Sequence, residues 1–133
     1  MAECVFFYGT LMAGFERPGR MRIEPQLRYV GRGSISGALF DLGLYPAAVP
    51  STDSRVWGEV YETDEIEGVL AELDEIEGYL SDDSDHSLYV RERVAAVLPG
   101  GRTVEAWVYF YNAPLGQAPR IPSGDYLAYV TVH

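Results

Sequence analysis

Apolar positions follow two rhythms along the chain, a strand-like alternation in most stretches and a helical spacing in one. Val5-Phe6-Phe7 reads as a buried strand, because β-branched and aromatic residues fit a pleated surface, and the run stops at Tyr8-Gly9. Residues 17–25 mix Pro, Gly and Arg and read as a loop or short helix. Residues 27–42 hold strand-like patches broken by Gly31, Gly33 and Gly37, as at bulges and barrel corners. The short apolar segment 44–50 carries two prolines, which suits an edge segment or an ordered loop. Residues 55–61 read as a strand. Thr63 or Asp64 is placed to cap a helix running to about Ile76.

Residues 81–87 read as an acidic loop, followed by two expected strands over 88–98 and 102–111 that a Pro99-Gly100-Gly101 turn would join. In the second of these, Trp107, Tyr109 and Tyr111 share one face and Ala106, Val108 and Phe110 the other. Both faces are apolar, which predicts a central strand. The tail from 113 contains three prolines and ends in a short aromatic segment. About six strands, one main helix and glycine-rich corners predict a compact α+β fold with a strongly curved or closed sheet. Alternating strand–helix units are absent, so a doubly wound sheet is not expected.

Length and composition narrow the picture. The 133 residues suit one domain with one core, and 47% apolar content with ten tyrosines argues for a folded globule. A net charge of −10 with no basic stripe makes nucleic acid and anionic membranes poor partners. The sole cysteine, Cys4, allows no internal disulfide and no cysteine zinc cage; it opens an apolar run and reads as part of a buried strand. There is no leader-like segment and no run long enough to span a bilayer, so the cytoplasm is the default location. His86 lies among Asp82, Asp83 and Asp85, but the spacing matches no calcium loop and reads as solvated.

Two features carry chemistry. At Tyr8-Gly9-Thr10-Leu11 a strand ends in a turn. A positive φ at Gly9 would let consecutive N–H groups converge on an anion or carbonyl oxygen; a plain strand-to-loop corner is the alternative. The second feature is a glutamate on the wrong side of a helix. At the helical repeat of about 3.6 residues per turn, Ile66, Val69, Leu70, Leu73 and Ile76 fall on one side. Glu77, one turn beyond Leu73, falls among them. It therefore lies within the apolar face, while Glu65, Glu67, Glu72, Asp74 and Glu75 lie off its centre. Burial and the negative end of the helix dipole would both favour its protonated form, which suits a base working near neutral pH. If the helix instead unwinds before Gly78, Glu77 is a solvated or capping residue. Gly68 in mid-helix is costly by about 1 kcal/mol relative to Ala, unless close packing requires it.

Taken together, Tyr8-Gly9-Thr10-Leu11, Gly43-Leu44-Tyr45-Pro46-Ala47, Gly58-Glu59-Val60-Tyr61, Leu73-Asp74-Glu75-Ile76-Glu77-Gly78, Tyr89-Val90-Arg91 and Ser123-Gly124-Asp125-Tyr126 resemble, in order, the gamma-glutamylcyclotransferase-like family, particularly its small gamma-glutamylamine cyclotransferase branch. The resemblance spans nearly the whole chain. It implies a small mixed, mostly antiparallel β-barrel with one main helix and short flanking helices. It also implies cleavage of a gamma-glutamyl amine or amino acid to 5-oxoproline, without a cofactor or metal, with Glu77 as catalytic base. Tyr8, Gly9, Thr10 and Leu11 would hold the glutamyl head group, and Tyr45, Tyr89 and Arg91 are further substrate-binding candidates whose other reading is core packing. Met12-Ala13-Gly14-Phe15 stands where many relatives place a basic and then a polar residue, a departure that bears on the distal part of the substrate. The rival reading is a non-catalytic module that binds a small carboxylate or gamma-glutamyl compound on the same scaffold.

Overall fold

The computed structural model describes residues 2–13, 15, 19–79 and 86–132. Eight strands form two sheets. Strands β1 (Glu3–Phe7), β5 (Arg55–Thr63), β2 (Arg28–Ser36), β6 (Tyr89–Val97) and β7 (Thr103–Tyr111) are bonded in that order and close into a barrel. Closure comes from a parallel β1–β7 pair in which Cys4 faces Ala106 and Val5 faces Trp107. The other barrel pairs are antiparallel. The barrel is thus mixed and mostly antiparallel, as expected, and β7 is flanked on both sides. Closing the sheet removes the unpaired edges that a five-stranded open sheet would expose.

The remaining strands, β3 (Ala38–Asp41), β4 (Pro46–Val49) and β8 (Arg120–Ile121), form a small sheet ordered β4-β3-β8. The expected count of about six strands therefore rises to eight among the described residues. Segment 27–42 divides at Gly37 into β2 and β3. Pro46 opens an edge strand, a position where its missing N–H costs no ladder bond. The glycines of β2 mark a real irregularity, since register against β5 shifts between Tyr29 and Gly31.

One apolar core runs through the barrel strands, with Phe6, Ile35, Val56, Val60, Ala96, Val108 and Phe110 all buried. Each large side chain so buried contributes about 1.5–3 kcal/mol relative to exposure. Residues Arg20–Ile23 form a single-turn helix, α1, continued by a 3₁₀ turn at Glu24–Gln26, which settles the loop-or-helix alternative there. The aromatic tail folds as α3 (Tyr126–Val132).

Helix α2 (Ile66–Glu77) buries Val69, Leu70 and Leu73, the centre of the predicted stripe. Its start differs from expectation, with Glu65 rather than Thr63 or Asp64 at the N-cap. Arg28 takes the Asp64 carboxylate in a two-armed contact at 3.0 and 3.2 Å, and the Thr63 hydroxyl instead accepts the Glu65 N–H at 3.0 Å. The helix persists through Glu77 and ends at Gly78, whose φ of 70° favours glycine. The Tyr79 N–H then bonds the Asp74 carbonyl at 2.9 Å and seals the C-terminus. A Cβ at Gly68 would meet nothing within 4 Å, so close packing does not account for that glycine.

Candidate active site

A small cleft, open to solvent, lies where the end of β1, the end of α2 and the start of β4 meet. Tyr8, Gly9, Thr10 and Leu11 line one side, Tyr45 and Pro46 another, and Glu77 contributes a carboxylate. Phe6, Phe7, Tyr89 and Tyr109 complete the wall. The lining is therefore largely aromatic with a single acidic group, a composition typical of small-ligand sites. The two features that the sequence singled out, the 8–11 turn and the inward glutamate, stand in one cavity.

Each wall has a specific support. The Tyr8 hydroxyl donates to the Tyr109 carbonyl at 2.6 Å and accepts from the Ala48 N–H at 3.4 Å. Burial pushes its pKa well above the ordinary value, and the nearby Tyr89 and Glu77 act in the same direction. Its hydroxyl is thus committed to structure, and its ring remains as the wall. Tyr89 donates to the Pro46 carbonyl at 3.0 Å, tying β6 to β4 across the cleft. The Tyr45 and Tyr89 rings lie 6.5 Å apart. Tyr109 donates to Asp74 Oδ1 at 2.6 Å, so the outer face of β7 holds the last turns of α2 and, with them, Glu77. Burial and that bond both raise the Tyr109 phenol pKa.

A family model for gamma-glutamyl cyclotransferase, AIG2-like proteins matches residues 5–128. The chain belongs to this family. Membership places it among cyclotransferase-type enzymes. A Methanocaldococcus jannaschii protein with a provisional gamma-glutamylcyclotransferase name is 34% identical over 133 residues, covering 96% of this chain and 98% of its own. The Escherichia coli gamma-glutamylcyclotransferase family protein YtfP is 33% identical, covering 92% of this chain and 95% of its own. Its solution structure matches with a TM-score of 0.67 over 96% of this chain and 98% of that one. The crystal structure of a mouse AIG2-like protein shares the fold with a TM-score of 0.72 at 24% identity, over 94% of this chain and 88% of that one.

Within this gamma-glutamyl cyclotransferase scaffold, two expectations change. Gly9 does not adopt a positive φ, so the left-handed turn anticipated there is not formed. The glycine is needed for a different reason, since a Cβ would come within 2.8 Å of Pro46 Cγ and 3.1 Å of Cδ. Arg91 does not line the cleft. It pairs with Asp74 at 3.2 Å and lies over the Tyr79 and Trp107 rings, which makes it a support of α2. Sequence reasoning had passed over Pro46 and Tyr109. Signals for both were present, one in the Gly43–Ala47 motif and the other in the alternation of β7. The aspartates beside His86 lie outside the described residues, and among the described residues no cluster of metal-ligating side chains occurs. No described helix is long and apolar enough to cross a membrane.

Proposed function

We propose that the protein cleaves gamma-glutamyl amines or gamma-glutamyl amino acids by intramolecular attack, releasing 5-oxoproline and the free amine. The observation that carries this reading is the meeting of Glu77 with the 8–11 loop in one small cleft. The substrate's own α-amine is the nucleophile, so the enzyme has to fold the substrate and move protons. Glu77 takes a proton from the α-ammonium, the freed nitrogen bonds to the γ-carbonyl carbon, and the amide C–N bond breaks. The ring nitrogen gives up a second proton as the C–N bond breaks, and both protons end on the departing amine, which leaves as an ammonium, so no water is consumed.

Glu77 stands at the C-terminal end of α2 beside the aromatic walls of the cleft, where it can face a bound ammonium. N–H groups of Gly9, Thr10 or Leu11 supply donors for the α-carboxylate or for the oxyanion formed during attack. Tyr45 and Tyr89 confine the glutamyl chain, and Arg91 acts at a distance by bracing α2. The test is a screen for 5-oxoproline release across gamma-glutamyl amines and gamma-glutamyl amino acids. Release with at least one class is expected, and the co-product names the leaving group. Saturable binding of these compounds without 5-oxoproline would replace the enzyme by a binding module.

A further inference from the structure

The 8–13 segment, of which residues 8–11 wall the cleft, is also held from behind by residues that do not enter it. Arg20, only 8% exposed, donates through Nη1 to the Leu11 carbonyl and through Nη2 to the Tyr61 hydroxyl at 3.1 Å. Tyr61 in turn donates to Glu59 Oε1 at 2.9 Å, and the same oxygen accepts the Ala13 N–H at 2.8 Å. The chain of bonds thus leaves the loop at the Leu11 carbonyl and returns to it at the Ala13 N–H. Its middle is anchored in the barrel, because Glu59 and Tyr61 belong to β5 and pair with Phe7 and Val5. The Arg20 guanidinium also lies 4.8 Å from the Tyr61 ring centroid, and the Tyr61 ring packs 5.6 Å from that of Phe7.

Burying a guanidinium is costly unless its donors and its charge are met. Here a carbonyl, a phenol and an aromatic face meet them. The Leu11–Met12 peptide is engaged at both ends, its carbonyl by Arg20 and its N–H by the Gly9 carbonyl at 3.0 Å. None of Arg20, Glu59 or Tyr61 lines the cleft. We propose that Arg20, Tyr61 and Glu59 form a strut that positions the 8–11 loop for the glutamyl head group, an inference that rests on the function proposed above.

The strut is tested in the full-length protein with Tyr61→Phe, Glu59→Leu and Glu59→Gln, none of which removes the buried arginine. Amide hydrogen exchange at Met12 and Ala13 reads the loop without reference to activity. Tyr61→Phe and Glu59→Leu are expected to accelerate it while β6 and β7 amides keep wild-type rates. Glu59→Gln retains an oxygen that accepts from both Ala13 and Tyr61, so it is expected to restore protection. With a gamma-glutamyl amide that the wild type turns over, KM is expected to rise about tenfold or more in Glu59→Leu and under about threefold in Glu59→Gln. Unchanged Met12 and Ala13 exchange, or a KM equal in Glu59→Leu and wild type, overturns the strut. A wild type that releases no 5-oxoproline overturns the functional reading alone, because the exchange result still decides the strut.

Discussion

Adding one methyl group at Gly9 tests whether the cleft has the walls described. In Gly9→Ala the new Cβ would stand 2.8 Å from Pro46 Cγ, whereas carbon atoms in contact rest about 3.5–4.0 Å apart. The walls must therefore part by about 0.7 Å or more. The proline ring has little freedom to yield, and its carbonyl is held by the Tyr89 hydroxyl at 3.0 Å. Overpacking of this kind costs about 1–3 kcal/mol. Because Gly9 does not use a positive φ, alanine adopts its backbone without strain and gains about 0.4–1 kcal/mol from a less flexible unfolded chain. The net loss of stability is then small, about 0–2.5 kcal/mol. Activity is far more exposed, since a displacement approaching 1 Å at a reacting centre costs up to about a hundredfold in rate. Urea denaturation and 5-oxoproline kinetics on the same preparation measure the two effects. A variant with wild-type kcat/KM would refute the contact between the 8–11 loop and Pro46 as a wall of the site.

Other substitutions separate support from chemistry. Gly68→Ala places a methyl in open space on α2 and is expected to raise stability by about 1 kcal/mol in urea denaturation, with kinetics unchanged. Tyr109→Phe removes the donor to Asp74 and is expected to cost about 1–2 kcal/mol by the same assay. Arg91→Gln breaks the pair with Asp74 rather than a substrate contact, so thermal stability falls while KM changes by less than about threefold.

The legible parts of the chain were those governed by local periodicity. The stripe of Val69, Leu70 and Leu73 could be read from spacing alone, and the same periodicity put Glu77 beside it. Gly78 gave the stop that keeps Glu77 helical. The alternation in β7 similarly announced a strand apolar on both faces. What escaped was set by partners far away in sequence. Asp64 has the right side chain for a cap, but Arg28 claims it. Gly9 looked like a conformational glycine and is a steric one, because Pro46 packs against it. Arg91 could be read as a substrate contact or as a packing and pairing residue, and the Asp74 that pairs with it comes from a distant helix. Arg20 sat in a stretch of undecided structure, and only the folded loop shows why its charge is buried.

The most direct measurement compares 5-oxoproline release by wild type, Glu77→Gln and Glu67→Gln. Glu67 shares the local Asp-Glu-Ile-Glu-Gly motif but does not line the cleft. The account predicts a fall of about 10²–10⁴-fold in kcat for Glu77→Gln, with the fold retained, and near wild-type release for Glu67→Gln. Full activity in Glu77→Gln would contradict it.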